Sequence, residues 1–284
     1  MRALDMGISD LDFDFVRTFI RSHAGIVLDA NKGYLAEARL SPLAQEEGFA
    51  DLSDLVDALR AGSLVPLNRK VVDALTTNET SFFRDREPFE ALRTHIIPEL
   101  IAARQNEKRL NFWYAASSTG QEPYSVVMLL AEHFPELASW TVSHLGTDIP
   151  TTVLDRARRG RFGPVDVNRG LPDTYRVKYF VGNSMDWVLE DHIREAVRFE
   201  ELNLLEDWPA MPTMDVIMMR NVMLYFDAEA KRAVLAKVGS VLHPQGSLFL
   251  GPSETTMDLD DQFERVKHNR AGCYRSNARY KRAS

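Results

Sequence analysis

The sequence predicts an α/β protein in which a small all-α domain precedes the sheet and an irregular segment is inserted into it. Two observations support this prediction. Residues 1–75 show the spacing of short amphipathic helices joined by short polar turns, which is typical of a small helical unit. From about residue 108, apolar runs of strand length alternate with helical stretches, as expected of a parallel sheet covered by helices on both faces.

The composition narrows the class of protein further. Of the 284 residues, 45 % are hydrophobic and 26 % are charged, which excludes a largely disordered or collagen-like chain. The formal net charge of −7 argues against nucleic acid as the main partner. A single cysteine, Cys273, excludes an intramolecular disulfide and fits a reducing compartment. Because the sequence shows neither a signal-peptide core nor a run of 18 apolar residues, we expect a cytoplasmic protein without a membrane span.

The N-terminal domain is expected to span residues 1–75 and to contain four helices. Apolar residues recur at helical spacing before Gly25, which is suited to end the first helix. The other helices are expected over about 32–45, over about 51–59 and from about 65 onward. The domain carries 8 Lys and Arg against 12 Asp and Glu, so its own charge is acidic.

Residues 76–107 are expected to form a linker and the start of the larger domain, which continues over 108–284. The predicted strands are 110–115, 141–146, 197–201, 215–219 and 247–251, and the predicted helices are 122–133, 150–158 and 228–242. Residues 160–196 break the alternation, because glycines and prolines are interspersed with aromatic residues there. This stretch is predicted to be an insertion with a small structure of its own.

Small residues follow the first predicted strand, in the run Ala115–Gly120, and a helix opens directly after them. In parallel sheets, ligands bind beyond the carboxyl ends of the strands, and the free N–H groups of a helix start attract an anionic group. A single glycine excludes both the dinucleotide G-x-G-x-x-G and the P-loop. The alternative is an ordinary turn between a strand and a helix.

Asp148 follows the second predicted strand. An acid at that position commonly accepts hydrogen bonds from ribose hydroxyl groups. The alternative is that Asp148 caps the helix that starts near Pro150.

Arg220 and Asn221 follow the buried strand 215–219. Polar side chains so close to an apolar run require partners, because burial without them is unfavourable. Tyr225 follows shortly afterwards, and the alternative for this residue is an ordinary place in the core.

The stretch Thr76–Arg84 is unusual for a linker, since polar residues are followed by Phe82, Phe83 and Arg84. Aromatic residues are rare in linkers, which predicts that this segment is packed. The alternative is a capped helix end with a solvated Arg84.

The seven histidines show no metal-ligand spacing with Cys273 or with acids, and the sequence contains no H-E-x-x-H, C-x-x-C or G-x-S-x-G motif. We therefore expect no metal site.

Six motifs occur in a fixed order between residues 76 and 254, and the likeness that they support runs from the N-terminal helices to Tyr274. They are Thr76-Thr77-Asn78 with Phe82-Phe83-Arg84, Ser118-Thr119-Gly120 with Glu122-Pro123-Tyr124-Ser125, Thr147-Asp148-Ile149, Asn203-Leu204, Arg220-Asn221-Val222-Met223 with Tyr225-Phe226, and Ser253-Glu254. Together they resemble the CheR family, the bacterial chemotaxis receptor glutamate methyltransferases. Three features depart from that resemblance. Gln121 stands where some members have Glu, although Glu122 is the matching acid, and Pro252 stands before Ser253 where a His is frequent. The N-terminal domain is also acidic where a basic helix face is expected. Arg17, Arg21, Lys32 and Arg39 could still form such a face.

The resemblance implies a Rossmann-like domain dependent on S-adenosylmethionine, with S-adenosylhomocysteine as the product. It also implies a helical N-terminal domain and an antiparallel β-subdomain supplied by residues 160–200. Carried over by motif, Arg84 and Tyr225 are the expected catalytic residues. The expected cofactor-binding residues are Asn78, Thr80, Arg84, Glu122 at the methionine end, Asp148 at the ribose, Asn203 and Leu204 beside the adenine, and Arg220 and Asn221.

The implied reaction is methyl transfer to glutamate side chains in the cytoplasmic domain of chemoreceptors, by a monomer. Three other hypotheses remain: a methyltransferase of the same fold with another substrate, a non-catalytic module that binds cofactor and a partner, and a nicotinamide dehydrogenase. Residues 262–284 carry 7 Lys and Arg against 1 Glu. This basic segment is either a solvated end or a contact for acidic receptor arrays or lipid headgroups.

Overall fold

The computed structural model describes residues 7–62, 65–183, 185–268 and 271–277. The chain divides into two compact units, which are described separately. The first comprises Met1–Thr77 and Tyr225–Asp227, and the second comprises Asn78–Leu224 and Ala228–Ser284. Part of the basic segment, residues 269–270 and 278–284, lies outside the described residues.

The first unit is helical, as the apolar spacing predicts. Its helices in the described residues are α1 (Asp10–Ala24), α2 (Gly33–Glu46), α3 (Leu52–Arg60) and α4 (Val65–Leu75). The Ser9 hydroxyl oxygen accepts a hydrogen bond from the N–H of Asp12 at 3.1 Å and so caps the start of α1. Gly25 ends α1 in the left-handed conformation, with φ of 69°. The predicted end of this helix is therefore confirmed.

The apolar faces of the four helices form the core of the first unit. Val16, Ile20, Leu40, Leu55 and Val71 are fully buried there. The segment Tyr225–Asp227 belongs to this unit through two contacts. The N–H of Val27 donates to the Tyr225 carbonyl at 2.8 Å, and Arg21 forms an ion pair with Asp227 at 2.7 Å.

The second unit is built on a seven-stranded sheet with a smaller sheet beside it. Its strands are β1 (Arg109–Ala115), β2 (Thr141–Asp148), β3 (Arg161–Phe162), β4 (Phe180–Gly182), β5 (Trp187–Leu189), β6 (Val197–Glu201), β7 (Met214–Met219), β8 (Leu242–Leu250), β9 (Phe263–Val266) and β10 (Gly272–Ser276). Its helices are α5 (Glu87–Ala91), α6 (Ile97–Ala103), α7 (Gln121–His133), α8 (Thr151–Arg159), α9 (Pro164–Asn168), α10 (Asp173–Tyr179), α11 (Asp191–Arg194) and α12 (Ala228–Val241). A π-helical turn, Leu92–Ile96, joins α5 to α6.

The large sheet has the strand order β6-β2-β1-β7-β8-β10-β9. Its first five strands run parallel, whereas β10 is antiparallel to both β8 and β9. The predicted parallel sheet is thus confirmed for five strands, and two strands that the sequence analysis did not predict are added at one edge. Because β1 pairs with β2 on one side and β7 on the other, the strand order reverses at β1. The carboxyl ends of these three strands therefore form the crevice in which such sheets bind ligands.

The stretch 160–196 forms a separate antiparallel sheet of order β3-β5-β4, with α9 and α10 between its strands. The predicted insertion is confirmed, and residues 160–196 are called the insertion below. Its Phe162 and Phe180 share a buried cluster with Phe82 and with Tyr124 of α7. None of the helices in the described ranges is long and apolar enough to cross a membrane.

Candidate cofactor and catalytic site

The loop between β1 and α7 has an unusual backbone. Ala116, Ser118 and Gly120 all have positive φ, at 60°, 50° and 91°. A Cβ at Gly120 would lie 3.0 Å from the Tyr124 ring and 3.1 Å from Ala157, so glycine is required by both conformation and space. The sequence correctly predicted a strand, a tight small-residue loop and a helix start at this point.

Asp148 is the last residue of β2, and its carboxylate is buried against the β1–α7 loop. One oxygen accepts the N–H of Ser118 at 2.7 Å, and the other accepts the N–H of Ile149 at 2.8 Å. Pro150 occupies the N-cap position of α8, so the alternative that Asp148 caps this helix is wrong. Asp148 instead joins the loops that follow β1 and β2.

Arg220 follows β7 and has the partners that its position requires. Its side chain is 1 % exposed. One Nη atom donates to Glu122 at 2.5 Å, and the other donates to Asp85 at 2.6 Å and to the Arg84 carbonyl at 3.0 Å. This guanidinium therefore links the start of α7 to the Arg84 carbonyl and to the Asp85 carboxylate.

The segment Asn78–Arg86 is packed into the second unit rather than extended as a linker. The Ser118 hydroxyl donates to the Asn78 carbonyl at 2.8 Å, and the N–H of Phe83 donates to the Ser125 hydroxyl at 3.0 Å. Phe83, Asp85 and Arg86 have positive φ of 46°, 65° and 40°. Such conformations are unfavourable for non-glycine residues and persist only where the surroundings impose them.

Arg84 is half-buried and donates to the Glu79 carbonyl at 2.8 Å. This contact and the packed segment around it overturn the alternative of a solvated residue at a helix end. A cavity of about 430 Å³ lies beside this segment. Its lining includes Asn78, Glu79, Thr80, Thr119, Arg156 and Arg169.

Asn203 and Leu204 follow β6 and form a compact turn. The Asn203 side chain accepts the N–H of Leu205 at 3.0 Å and donates to Glu206 at 3.0 Å. Lys237 donates to the Leu204 carbonyl at 2.6 Å, and the Leu204 side chain is buried. The two residues are thus fixed at the carboxyl end of β6.

Asn221 has a positive φ of 60°, and the buried carboxylate of Glu254 supports this conformation. One Glu254 oxygen accepts the N–H of Asn221 at 2.7 Å and that of Gly251 at 2.6 Å. Burial raises the pKa of Glu254, while these N–H donors oppose that increase. Glu254 and Asp85 had no assigned role in the sequence analysis. The Ser253-Glu254 motif was the sequence signal for Glu254. The need of Arg220 for a partner was the signal for an acidic residue such as Asp85.

Tyr225 is the predicted site residue that the second unit does not contain. It is half-buried and belongs to the first unit through its carbonyl contact with Val27. All the other predicted site residues lie in the second unit, at or near the carboxyl ends of β1, β2, β6 and β7.

The residues of the second unit fit the S-adenosylmethionine that the resemblance implies. Asn78 and Thr80 are the predicted cofactor residues that line the cavity of about 430 Å³, and the other predicted cofactor residues are not part of its lining. The Ser117 hydroxyl oxygen and the Asn221 Oδ1 follow adjacent strands and are buried without a hydrogen-bond partner among the described residues. Polar atoms in that state fit a polar ligand. Within the same described ranges, no three His, Cys, Asp or Glu residues are grouped to hold a metal ion.

Comparisons with known proteins agree with this geometry. Residues 78–271 match the family model for the CheR methyltransferase SAM binding domain, and residues 11–76 match the CheR methyltransferase all-alpha domain. The chain is 37 % identical to chemotaxis protein methyltransferase 1 of Pseudomonas aeruginosa, over 95 % of this chain and 100 % of that protein. It is 39 % identical to a chemotaxis protein methyltransferase of Vibrio parahaemolyticus, over 92 % of this chain and 95 % of that protein.

Among solved structures, a TehB-like SAM-dependent methyltransferase from Corynebacterium glutamicum is similar over 63 % of this chain and 86 % of its own, with 13 % identity and a TM-score of 0.35. The two family models together cover most of the chain, in the order expected from its motifs. The chain therefore belongs to the CheR family of S-adenosylmethionine-dependent chemotaxis methyltransferases.

Proposed function

We propose that this protein methylates glutamate side chains in the cytoplasmic domain of bacterial chemoreceptors and so forms glutamate methyl esters. The observation that carries the proposal is the position of Arg84. It lies on a packed segment beside the cavity, where Arg220 holds the neighbouring backbone. A guanidinium on a backbone that is held in this way is suited to orient a substrate carboxylate.

The reaction requires alignment of the reacting atoms rather than proton transfer. A glutamate carboxyl group has a pKa of about 4.3 and is ionised at neutral pH, so no general base is required. S-adenosylmethionine, when bound, supplies an electrophilic methyl group on a sulfonium ion. The protein must place a carboxylate oxygen in line with that methyl group and exclude water from it.

We assign the orienting contact to Arg84, and the resemblance implies that Tyr225 is also a catalytic residue. The contact from Arg84 must be strongest in the transition state, since tight binding of the ground-state carboxylate would reduce its reactivity. Asn78 and Thr80 line the cavity and would bind the cofactor there. Glu122 would face its methionine end, while Arg220 holds Glu122 in place.

Asp148 would bind the ribose hydroxyl groups, with Asn203 and Leu204 beside the adenine and Asn221 completing the pocket. We also propose that the protein acts as a cytoplasmic monomer on its receptor.

The test is transfer of labelled methyl groups from S-adenosylmethionine to a chemoreceptor signalling domain, followed by mild base. The control is the same domain with its methylated glutamates replaced by glutamine. Label that appears only on the glutamate form and is released by base supports the proposal. Tight binding of S-adenosylhomocysteine without transfer to several receptor domains would favour a different substrate, and binding of NADH instead of S-adenosylhomocysteine would overturn the methyltransferase assignment.

A further inference from the structure

The insertion packs directly on the segment that precedes Arg84. Phe82 is fully buried, and its ring makes edge-to-face contacts with Phe162 at 5.0 Å and Phe180 at 5.6 Å between centroids. Phe83 makes a similar contact with Tyr175 at 5.0 Å. Both aromatic residues before Arg84 are therefore held by rings from the insertion.

Gly170 brings the backbone of the insertion against the same segment. Its φ is +87°, and a Cβ at this position would lie 2.1 Å from the Phe82 carbonyl oxygen. Because that atom belongs to the backbone of a buried residue, it cannot move aside easily. The loop between α9 and α10 is thus fixed against Phe82, and the next residue toward the N terminus is Arg169.

Arg169 forms an ion pair with Glu79, with Nη2 2.5 Å from Oε1. Arg84 donates to the carbonyl oxygen of the same Glu79 at 2.8 Å. The pKa of the Glu79 carboxyl is lowered, first by Arg169 and also by the positive charge of Arg84. The Glu79 carboxylate is therefore paired with Arg169, and the Arg84 guanidinium contacts the backbone of the same residue.

The two side chains of the Arg169–Glu79 pair are 55 % and 57 % exposed. A pair this exposed adds little to folding stability. Its effect on charge is more important, because Arg84 is the other cation that lowers the pKa of Glu79 and would act on the Glu79 carboxylate without competition from Arg169. Arg84 would then be held by an internal carboxylate and would be less available to a carboxylate on a substrate.

We propose that Arg169 is a positioning residue of the insertion that occupies Glu79 and so keeps Arg84 free for the substrate carboxylate. This inference rests on the proposed function of Arg84. It gives the insertion a role in turnover, and a partner that binds the insertion and disturbs Arg169 would change that turnover.

The first test compares Arg169→Ala, Glu79→Gln and the double variant in the full-length protein, with the receptor domain as substrate. We expect Arg169→Ala to lower kcat about tenfold, a coupling within the range known for neighbouring residues, while the Kd for S-adenosylhomocysteine changes less than about twofold. Glu79→Gln should retain most activity, and the double variant should return close to Glu79→Gln, because the competing charge has been removed. Arg169→Lys should be intermediate.

The control is Arg161→Ala. Arg161 lies on the insertion in an exposed ion pair with Asp186, and no described contact joins that pair to the segment before Arg84. This variant should have unchanged kcat. An unaffected Arg169→Ala, or a double variant as slow as Arg169→Ala, would overturn the proposal.

A second measurement does not depend on the substrate. The protein is labelled with ¹⁵N-arginine, and the NMR signal of the Arg84 side chain is identified by its loss in Arg84→Ala. Arg169→Ala should shift this signal. Adding Glu79→Gln to Arg169→Ala should reverse the shift. If the wild-type protein methylates no receptor, the proposed function fails, and this signal still decides whether Arg169 keeps Glu79 from Arg84. No shift would overturn the inference alone.

Discussion

Strand β7 carries a buried charge at each end, and the two ends differ in what those charges hold. At the amino end, Asp215 is fully buried, accepts the N–H of Asn111 at 2.8 Å and lies 3.2 Å from Arg104. At the carboxyl end, Arg220 pairs with Glu122 and Asp85. Asp215 and Arg220 are both buried, so burial of a charged side chain alone does not distinguish a structural charge from one that belongs to a site.

The backbone around each pair does separate them. At the carboxyl end, Phe83, Asp85, Ala116, Ser118 and Asn221 all have positive φ, although none is glycine. Near the amino end, Lys108 has this conformation. Strained backbone is thus concentrated where Arg220 acts, and such strain is characteristic of functional sites.

The largest effect is expected from Arg220→Met. Loss of this guanidinium leaves Glu122 and Asp85 without their buried partner and releases the Arg84 carbonyl, so we expect about 3–5 kcal/mol less stability. Turnover and S-adenosylhomocysteine affinity should fall together. Urea unfolding and calorimetric titration measure the two effects. A variant with normal turnover and normal affinity would show that the two ends of β7 do not differ as described.

Arg84→Ala should separate chemistry from stability at the same end of the strand. We expect turnover to fall by about 10²–10³, as for the loss of one orienting donor, because the substrate carboxylate loses its contact. The free energy of unfolding and the Kd for S-adenosylhomocysteine should hardly change. Arg93→Ala, which removes an exposed helix arginine paired with Glu90, is the matched control. Equal losses in turnover and affinity would assign Arg84 to cofactor binding instead.

At the amino end, Asp215→Asn should give the opposite result. Burial raises the pKa of the Asp215 carboxyl, so an amide relieves part of that unfavourable burial while Arg104 loses its charged partner. We expect about 1–3 kcal/mol less stability in urea unfolding. The kcat of the folded variant should equal that of the wild type, and a reduced kcat would contradict the distinction between the two ends.

Between the ends, His144 provides a smaller, pH-dependent effect. It is buried against Phe112 and bonds the Tyr114 hydroxyl at 2.9 Å, and burial lowers its pKa from 6.5 to about 3. The folded state therefore binds fewer protons than the unfolded state between these values. The free energy of unfolding therefore falls by about 1.4 kcal/mol per pH unit as the pH decreases below about 6.5, because the neutral form of His144 is favoured in the folded state.

The variant Tyr114→Phe/His144→Phe should lose this part of the acid sensitivity, because both members of the buried polar pair become apolar. Tyr114→Phe alone keeps the titrating histidine and should retain the slope. Urea unfolding from pH 7 to pH 4 compares them, and equal slopes in the two variants would contradict a neutral buried His144.

Local signals predicted most of the fold. Gly25 marked the end of α1, and the loop before Gly120 marked the crossover from β1 to α7. The edge strands β9 and β10 were missed, since the four residues of β9 include Glu264 and Arg265 and show no apolar run. The helices α5 and α6 were missed as well, although Pro88 and Pro98 stand in their first turns.

The site was predicted as a set of residues but not as a set of contacts. The sequence shows that Arg220 needs partners, but Asp85 precedes it by 135 positions and only the folded sheet brings them together. The pairing of Arg169 with Glu79 spans 90 positions and has no local signal. The place of Tyr225 in the first unit likewise depends on long-range packing.

That place has a consequence for synthesis of the protein on the ribosome. The helical unit includes Tyr225–Asp227, which are made about 150 residues after Thr77. At a translation rate of about 5–20 residues per second, these three residues are synthesised roughly 7–30 s after the helices. During this interval Val27 lacks its Tyr225 carbonyl partner and Arg21 lacks Asp227. The first unit to leave the ribosome is thus completed only after most of the second has been translated.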